Sequence, residues 1–115
     1  YVQHVKAGAL RLLAVTQAKR IDGYTDVPTV QEAAGIGAFD VFSWYGLSAS
    51  TGTPAAIVER LGAEVLGVLA EPAVQTAVRA IGAEPAPLGP RAYGTFIDDE
   101  IRKWAPIVKA SGAVI

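Results

Sequence analysis

Ala7-Gly8-Ala9-Leu10-Arg11-Leu12-Leu13-Ala14-Val15-Thr16 is the stretch on which the fold of this chain turns. A short apolar run with polar ends, Arg11 to Thr16, predicts a strand buried on both faces, as in a parallel sheet. Upstream, Tyr1 to Ala7 reads as the last two turns of a helix, with Gly8 at the position after the helix end where a left-handed residue is wanted. Helix, glycine turn and buried strand make a fragment of a β/α unit, so the expected fold class is α/β.

Outward from that unit, Gln17 to Pro28 is polar and broken by Gly23 and Pro28, and is expected to be loop. Thr29-Val30-Gln31-Glu32-Ala33 then carries a capping box, in which Thr29 accepts from the Glu32 amide and the Glu32 carboxylate reaches back to the Thr29 amide. A short helix should start there and stop near Gly35. Phe39 to Ala49 alternates and is rich in aromatics, with Phe39, Val41, Ser43 and Tyr45 on one face, which predicts a long strand. Ser50-Thr51-Gly52 turns the chain, Thr53 is the expected helix cap, and Pro54 follows at the first helical position. Ile57, Val58, Leu61, Val65 and Leu69 form one apolar stripe on that helix. A second helix starts at Pro72 with Val74, Val78 and Ile81 inward, and ends at Gly82. Ala83 to Pro90 should be extended, with room for a short strand at Glu84. The last helix runs from Pro90 and carries Tyr93, Phe96, Ile97, Ile101, Trp104 and Val108 on its apolar side. Pro106 removes a backbone donor within it, which predicts a kink or break near Arg102–Ala105.

The composition bounds the function. The chain has 115 residues, enough for one domain at most, and is 51% hydrophobic and 18% charged, with a mean hydropathy of +0.33. Two readings of that apolar content stand: faces meant to pack on something outside this sequence, or an alanine-rich core. Ten basic and eleven acidic residues give a formal charge of −1 with no basic face, which argues against a nucleic-acid partner. No run of eighteen apolar residues suggests a membrane span. The chain opens in mid-element without methionine, and so reads as an excised piece whose missing signal sequence says nothing about compartment. With no cysteine and one histidine, His4, there is no thiol nucleophile, no disulfide framework and no set of zinc ligands. Asp98-Asp99-Glu100 cannot converge on one ion, because consecutive helical residues point about 100° apart; a solvated helix face is the plain reading. Gly35-Ile36-Gly37 lacks the third glycine of a dinucleotide fingerprint, with Asp40 in its place. Neither catalytic residues nor a cofactor site can be assembled, so the expectation is a protein that is not an enzyme.

Read in order, the phrases of this sequence resemble the Bug/TctC family, the substrate-binding receptors of tripartite tricarboxylate transporters. The resemblance is carried by His4 to Gly8 with Leu10 to Thr16, by Lys19-Arg20, and by Asp26-Val27-Pro28-Thr29-Val30-Gln31-Glu32-Ala33. Ser43-Trp44-Tyr45-Gly46-Leu47, Gly52-Thr53-Pro54, Ile57-Val58, Gly82-Ala83-Glu84-Pro85, Lys103-Trp104 and Val108-Lys109 continue it. Two departures stand out: Ser50-Thr51 where the family commonly has a proline ahead of Gly-Thr-Pro, and Pro106 where its last helix usually continues. The resemblance implies a type II periplasmic binding-protein fold, two α/β domains flanking a cleft in a receptor of about 300 residues. This chain would be its C-terminal portion, with 1–38 ending ligand-binding domain 2 and 39–115 holding the crossover strand and the helices that return toward domain 1. The implied partners are a small carboxylate (a di- or tricarboxylate, an amino acid or an aromatic acid), the membrane subunits of the transporter and the N-terminal part of the same receptor. The implied location is the periplasm.

Ligands of open α/β sheets lie beyond the carboxyl ends of strands. That places the candidate binding residues at Thr16 and Gln17, at Asp26 and Thr29 before the capped helix, and at Trp44. The plainer reading of Thr29 is a helix cap rather than a direct contact, that of Trp44 is core or hinge packing rather than a cleft wall, and that of Trp104 is core. A competing expectation is a self-contained protein-interaction or oligomerisation domain. Uncovered sheet edges and apolar helix faces also predict self-association of the chain alone, by exchange of the Phe39–Ala49 segment between copies.

Overall fold

The computed structural model of the chain describes residues 2–113. Five helices occur among them: α1 (Val2–Lys6), α2 (Val30–Ala34), α3 (Ala55–Ala70), α4 (Pro72–Ala80) and α5 (Pro90–Ser111). Two compact units divide the chain, Tyr1–Ser48 and Ala49–Ile115.

In the first unit α1 ends at Gly8, whose φ of +72° is left-handed as expected; the expected helix start at Tyr1 lies outside the described residues. The Gly8 amide donates to the Val5 carbonyl, and the amides of Ala9 and Leu10 to that of His4. The strand expected over Arg11–Thr16 is reduced to one parallel pairing, Val15 with Thr29. Val15 donates its N–H to Pro28 O at 2.9 Å and accepts from Val30 N–H at 2.8 Å; on the other side Thr16 O accepts from Val41 N–H at 2.9 Å. The pairing cannot grow, for a local reason. Val30 is already the first residue of α2, so the carbonyls beyond it turn into the helix ladder. Phe39–Ala49 forms no strand either: Val41 makes one backbone bond to the neighbouring segment, and the pairing is not continued. The described residues therefore hold no sheet; of the expected parallel and mixed-sheet architecture they form the one pairing, which runs in the expected direction. Val15 and Thr29 are 8% and 4% exposed, the only buried positions among the described residues, whereas Leu13 is 69% exposed. The core of this unit is the bridge itself.

In the second unit Thr53 is not the helix cap. Its amide and hydroxyl both donate to Ser50 O, at 3.1 and 2.8 Å, closing the turn, and Pro54 takes the cap position of α3. The α3–α4 break has a single cause. Glu71 ends one helix and opens the next with φ −69° and ψ 128°, because the ring of Pro72 drives the preceding residue out of the helical region. The two axes meet at 76°. Ile81, expected inward, is 79% exposed, and Ala83–Gly89 contains no strand.

Helix α5 runs unbroken through Pro106, which corrects the expected break near Arg102–Ala105. Proline removes one donor, and the carbonyl of Arg102 that loses it belongs to an exposed residue, where water can replace the bond. α3 packs against both α4 and α5. Val58, Gly62, Val65, Leu66 and Leu69 are its half-covered face, while Ile57, Leu61 and Val68 stay exposed. Gly62 lets the start of α5 come close: a Cβ there would lie 2.6 Å from Pro90 Cγ. On α5, Tyr93 and Phe96 stack with centroids 6.5 Å apart. Glu100 is not on a solvated face; it accepts from Trp104 Nε1 at 3.0 Å and pairs with Lys103.

Candidate ligand-binding site

The capping box of α2 is formed as the sequence predicts. Thr29 Oγ1 accepts from the Glu32 amide at 3.2 Å, and the Thr29 amide donates to Glu32 Oε2 at 2.7 Å. The Glu32 carboxylate is also gripped by Arg20, whose Nε lies 3.0 Å from Oε2 and whose Nη1 donates to Thr25 O at 2.7 Å. The hydrogen bond from Arg20, and after it that from the Thr29 amide, holds the Glu32 carboxyl below the usual carboxylate range. One arginine thus ties the loop after Gln17 to the first turn of α2. The amide of Thr29 is already bonded to the chain's own carboxylate, and α2 is only five residues long.

Thr16 and Thr29 lie on the two segments joined at the Val15–Thr29 bridge, so the structure brings these candidates side by side. Thr16 is exposed and Gln17 half-buried. Asp26 stands on the same approach as Thr29 but is exposed, within a turn closed by the Val27 amide on Tyr24 O. Trp44, 39% exposed, follows Val41 on the segment bonded to Thr16. Three contributors escape a reading of the sequence. Asp40 Oδ1 accepts from the Ala18 amide at 2.9 Å, and Gln31 Nε2 donates to Phe39 O at 2.8 Å. Arg20 is the third; the only signal for it was its place beside Lys19 in the family phrase. For Asp40 and Gln31 no local pattern exists, since each bond joins residues far apart in sequence.

Residues 1–113 match the family described as the tripartite tricarboxylate transporter family receptor. The chain belongs to that receptor family. Among its curated relatives, a UPF0065 protein from the tcbD-tcbE intergenic region of Pseudomonas sp. is 35% identical over 106 residues, covering 92% of this chain and 32% of its own length. Protein BugT of Bordetella pertussis is 34% identical over 112 residues, covering 97% of this chain and 34% of its own. The solved structure of R. palustris Rpa4515 with adipate is similar with a TM-score of 0.80 and 34% identity, over 96% of this chain and 36% of that one. The chain spans about a third of the length of these relatives. Its fold is that of part of a periplasmic binding protein. The matching family is named for a transport receptor.

Proposed function

We propose that these residues are the C-terminal portion of a periplasmic receptor that captures a small carboxylate and hands it to a tripartite transporter in the membrane, with no chemistry of its own. The observation that carries this reading is the likeness, over 96% of the chain and at 34% identity, to a protein solved with adipate. Within the receptor, 1–38 would close ligand-binding domain 2 of a type II, mixed-sheet binding protein, and 39–115 would hold the crossover strand and the returning helices. Thr16 and Gln17 are proposed as direct contacts, because they leave the paired segment at its carboxyl end. Asp26 and Trp44 are proposed to line the cleft beside them. Thr29 is proposed to act mainly by shaping the loop, since its amide and hydroxyl already serve the capping box.

A thermal-shift titration of the full receptor with succinate, glutarate, adipate, citrate, glutamate and nicotinate tests the reading. At least one acid should raise Tm in proportion to the logarithm of its concentration; a flat response to all six would sink it. Closure of the two domains on the ligand predicts a smaller radius of gyration by X-ray scattering when the stabilising acid is present. A second reading, a protein-interaction module, draws on the uncovered apolar residues Ile57, Leu61 and Val68 of α3. It predicts no response to any acid.

A further inference from the structure

We infer that Asp40 is a positioning residue for the loop that carries Thr16 and Gln17; the inference deepens the receptor reading and rests on it. Two consecutive residues clasp that loop. Asp40 Oδ1 accepts from the Ala18 amide at 2.9 Å, and Val41 donates its amide to Thr16 O at 2.9 Å. Gln17 lies between the two tied residues, so both flanks of its backbone are held. The clasp is itself anchored. Gln31 Nε2 donates to Phe39 O at 2.8 Å, which fixes the segment to α2, and α2 is joined through the Val15–Thr29 pairing back to the start of the loop. The contacts form a closed circuit through Val15, Thr29, Gln31, Phe39, Asp40 and Ala18.

The chemistry assigns Asp40 to holding the loop rather than touching the ligand. An ionised carboxylate only accepts hydrogen bonds, so it offers nothing to a carboxylate ligand and repels it. A backbone amide is the partner it suits, through a charge-assisted bond. The prediction for conservative change is therefore asymmetric: an amide side chain keeps the acceptor and drops the like charge.

The test compares Asp40→Ala and Asp40→Asn in the full receptor, by calorimetric titration with succinate, glutarate and adipate and by hydrogen exchange at the Ala18 amide. Asp40→Ala should weaken the best-bound of these acids about tenfold and speed exchange at Ala18, as expected for loss of one charge-assisted bond. Asp40→Asn should bind that acid at least as tightly as the unaltered receptor and keep Ala18 protected. A lowered Tm with unchanged affinity in Asp40→Ala would overturn the inference, as would equal loss in both variants. Failure of the unaltered receptor to bind any of the three would instead exclude these dicarboxylates as its ligand. That result is distinct from a loss seen only in the variants, and exchange at Ala18 would still decide whether Asp40 holds the loop.

Discussion

Thr29 is where single-residue chemistry matters most in this chain. It is 4% exposed, pairs across to Val15 and caps α2. Thr29→Ala removes the acceptor for the Glu32 amide and should cost about 1 kcal/mol, read as a lowered denaturation midpoint; Thr29→Ser should restore most of it. Its partner Glu32 makes the same local structure sensitive to acid. The Arg20 and Thr29 bonds lower the Glu32 pKa in the folded state, so the folded form binds its proton less readily than the unfolded chain. The resulting stabilisation is complete above the ordinary carboxylate range and is lost as pH falls through the lowered value. Glu32→Gln should abolish that component. Its unfolding midpoint, followed from neutral to acid pH, should fall less steeply than that of the unaltered chain.

At the scale of elements, two glycines of one helix make opposite predictions. Gly62 and Gly67 both lie inside α3, where alanine is preferred by up to about 1 kcal/mol. At Gly67 a Cβ meets nothing within 4 Å, whereas at Gly62 it would fall 2.6 Å from Pro90 Cγ. Gly67→Ala should therefore stabilise, by about 0.5–1 kcal/mol. Gly62→Ala should destabilise, because the proline ring is rigid and α5 must shift to admit the methyl. Comparison of the two thermal midpoints checks both. Helices were legible in the sequence because caps and prolines act locally: the box at Thr29–Glu32, Pro72 and Pro90 all stand where expected. Strands were not, because a strand exists only through its neighbour. Arg11–Thr16 and Phe39–Ala49 have the right side chains, but on one side the Thr29 segment turns into α2 after one pairing, and on the other Val41 makes a single bond to Thr16. Thr53 misled for a related reason: its hydroxyl had a nearer acceptor, Ser50 O. In the candidate site, the capping box could be foreseen from residue spacing. The clasp from Asp40 could not, because it joins positions 22 apart.

At the scale of the whole molecule, surface area decides. A globule of 11.9 kDa exposes about 6,000 Å², and two separate globules of half that mass together about 7,200 Å². This chain exposes 9054 Å², more than either. The excess includes Tyr45, 96% exposed, together with Leu47 on the same segment and Ile101 and Val108 on α5. Uncovered apolar area of this kind drives association. The 115-residue chain alone should therefore grow in mass with concentration by light scattering, while the full receptor stays monodisperse. A single monomer mass for the isolated chain at every concentration would contradict this.

The placement of the two tryptophans has an optical consequence. Trp44 belongs to the first compact unit and Trp104 to the second, and their surroundings differ. Trp44 is 39% exposed, whereas the indole of Trp104 is bonded to Glu100 with the Lys103 ammonium 5.7 Å from its ring. Each unit thus carries its own intrinsic fluorophore. In the 115-residue chain, Trp104→Phe would leave tryptophan emission from the first unit alone and Trp44→Phe from the second, so that the melting of each half could be followed by colour without attaching a dye.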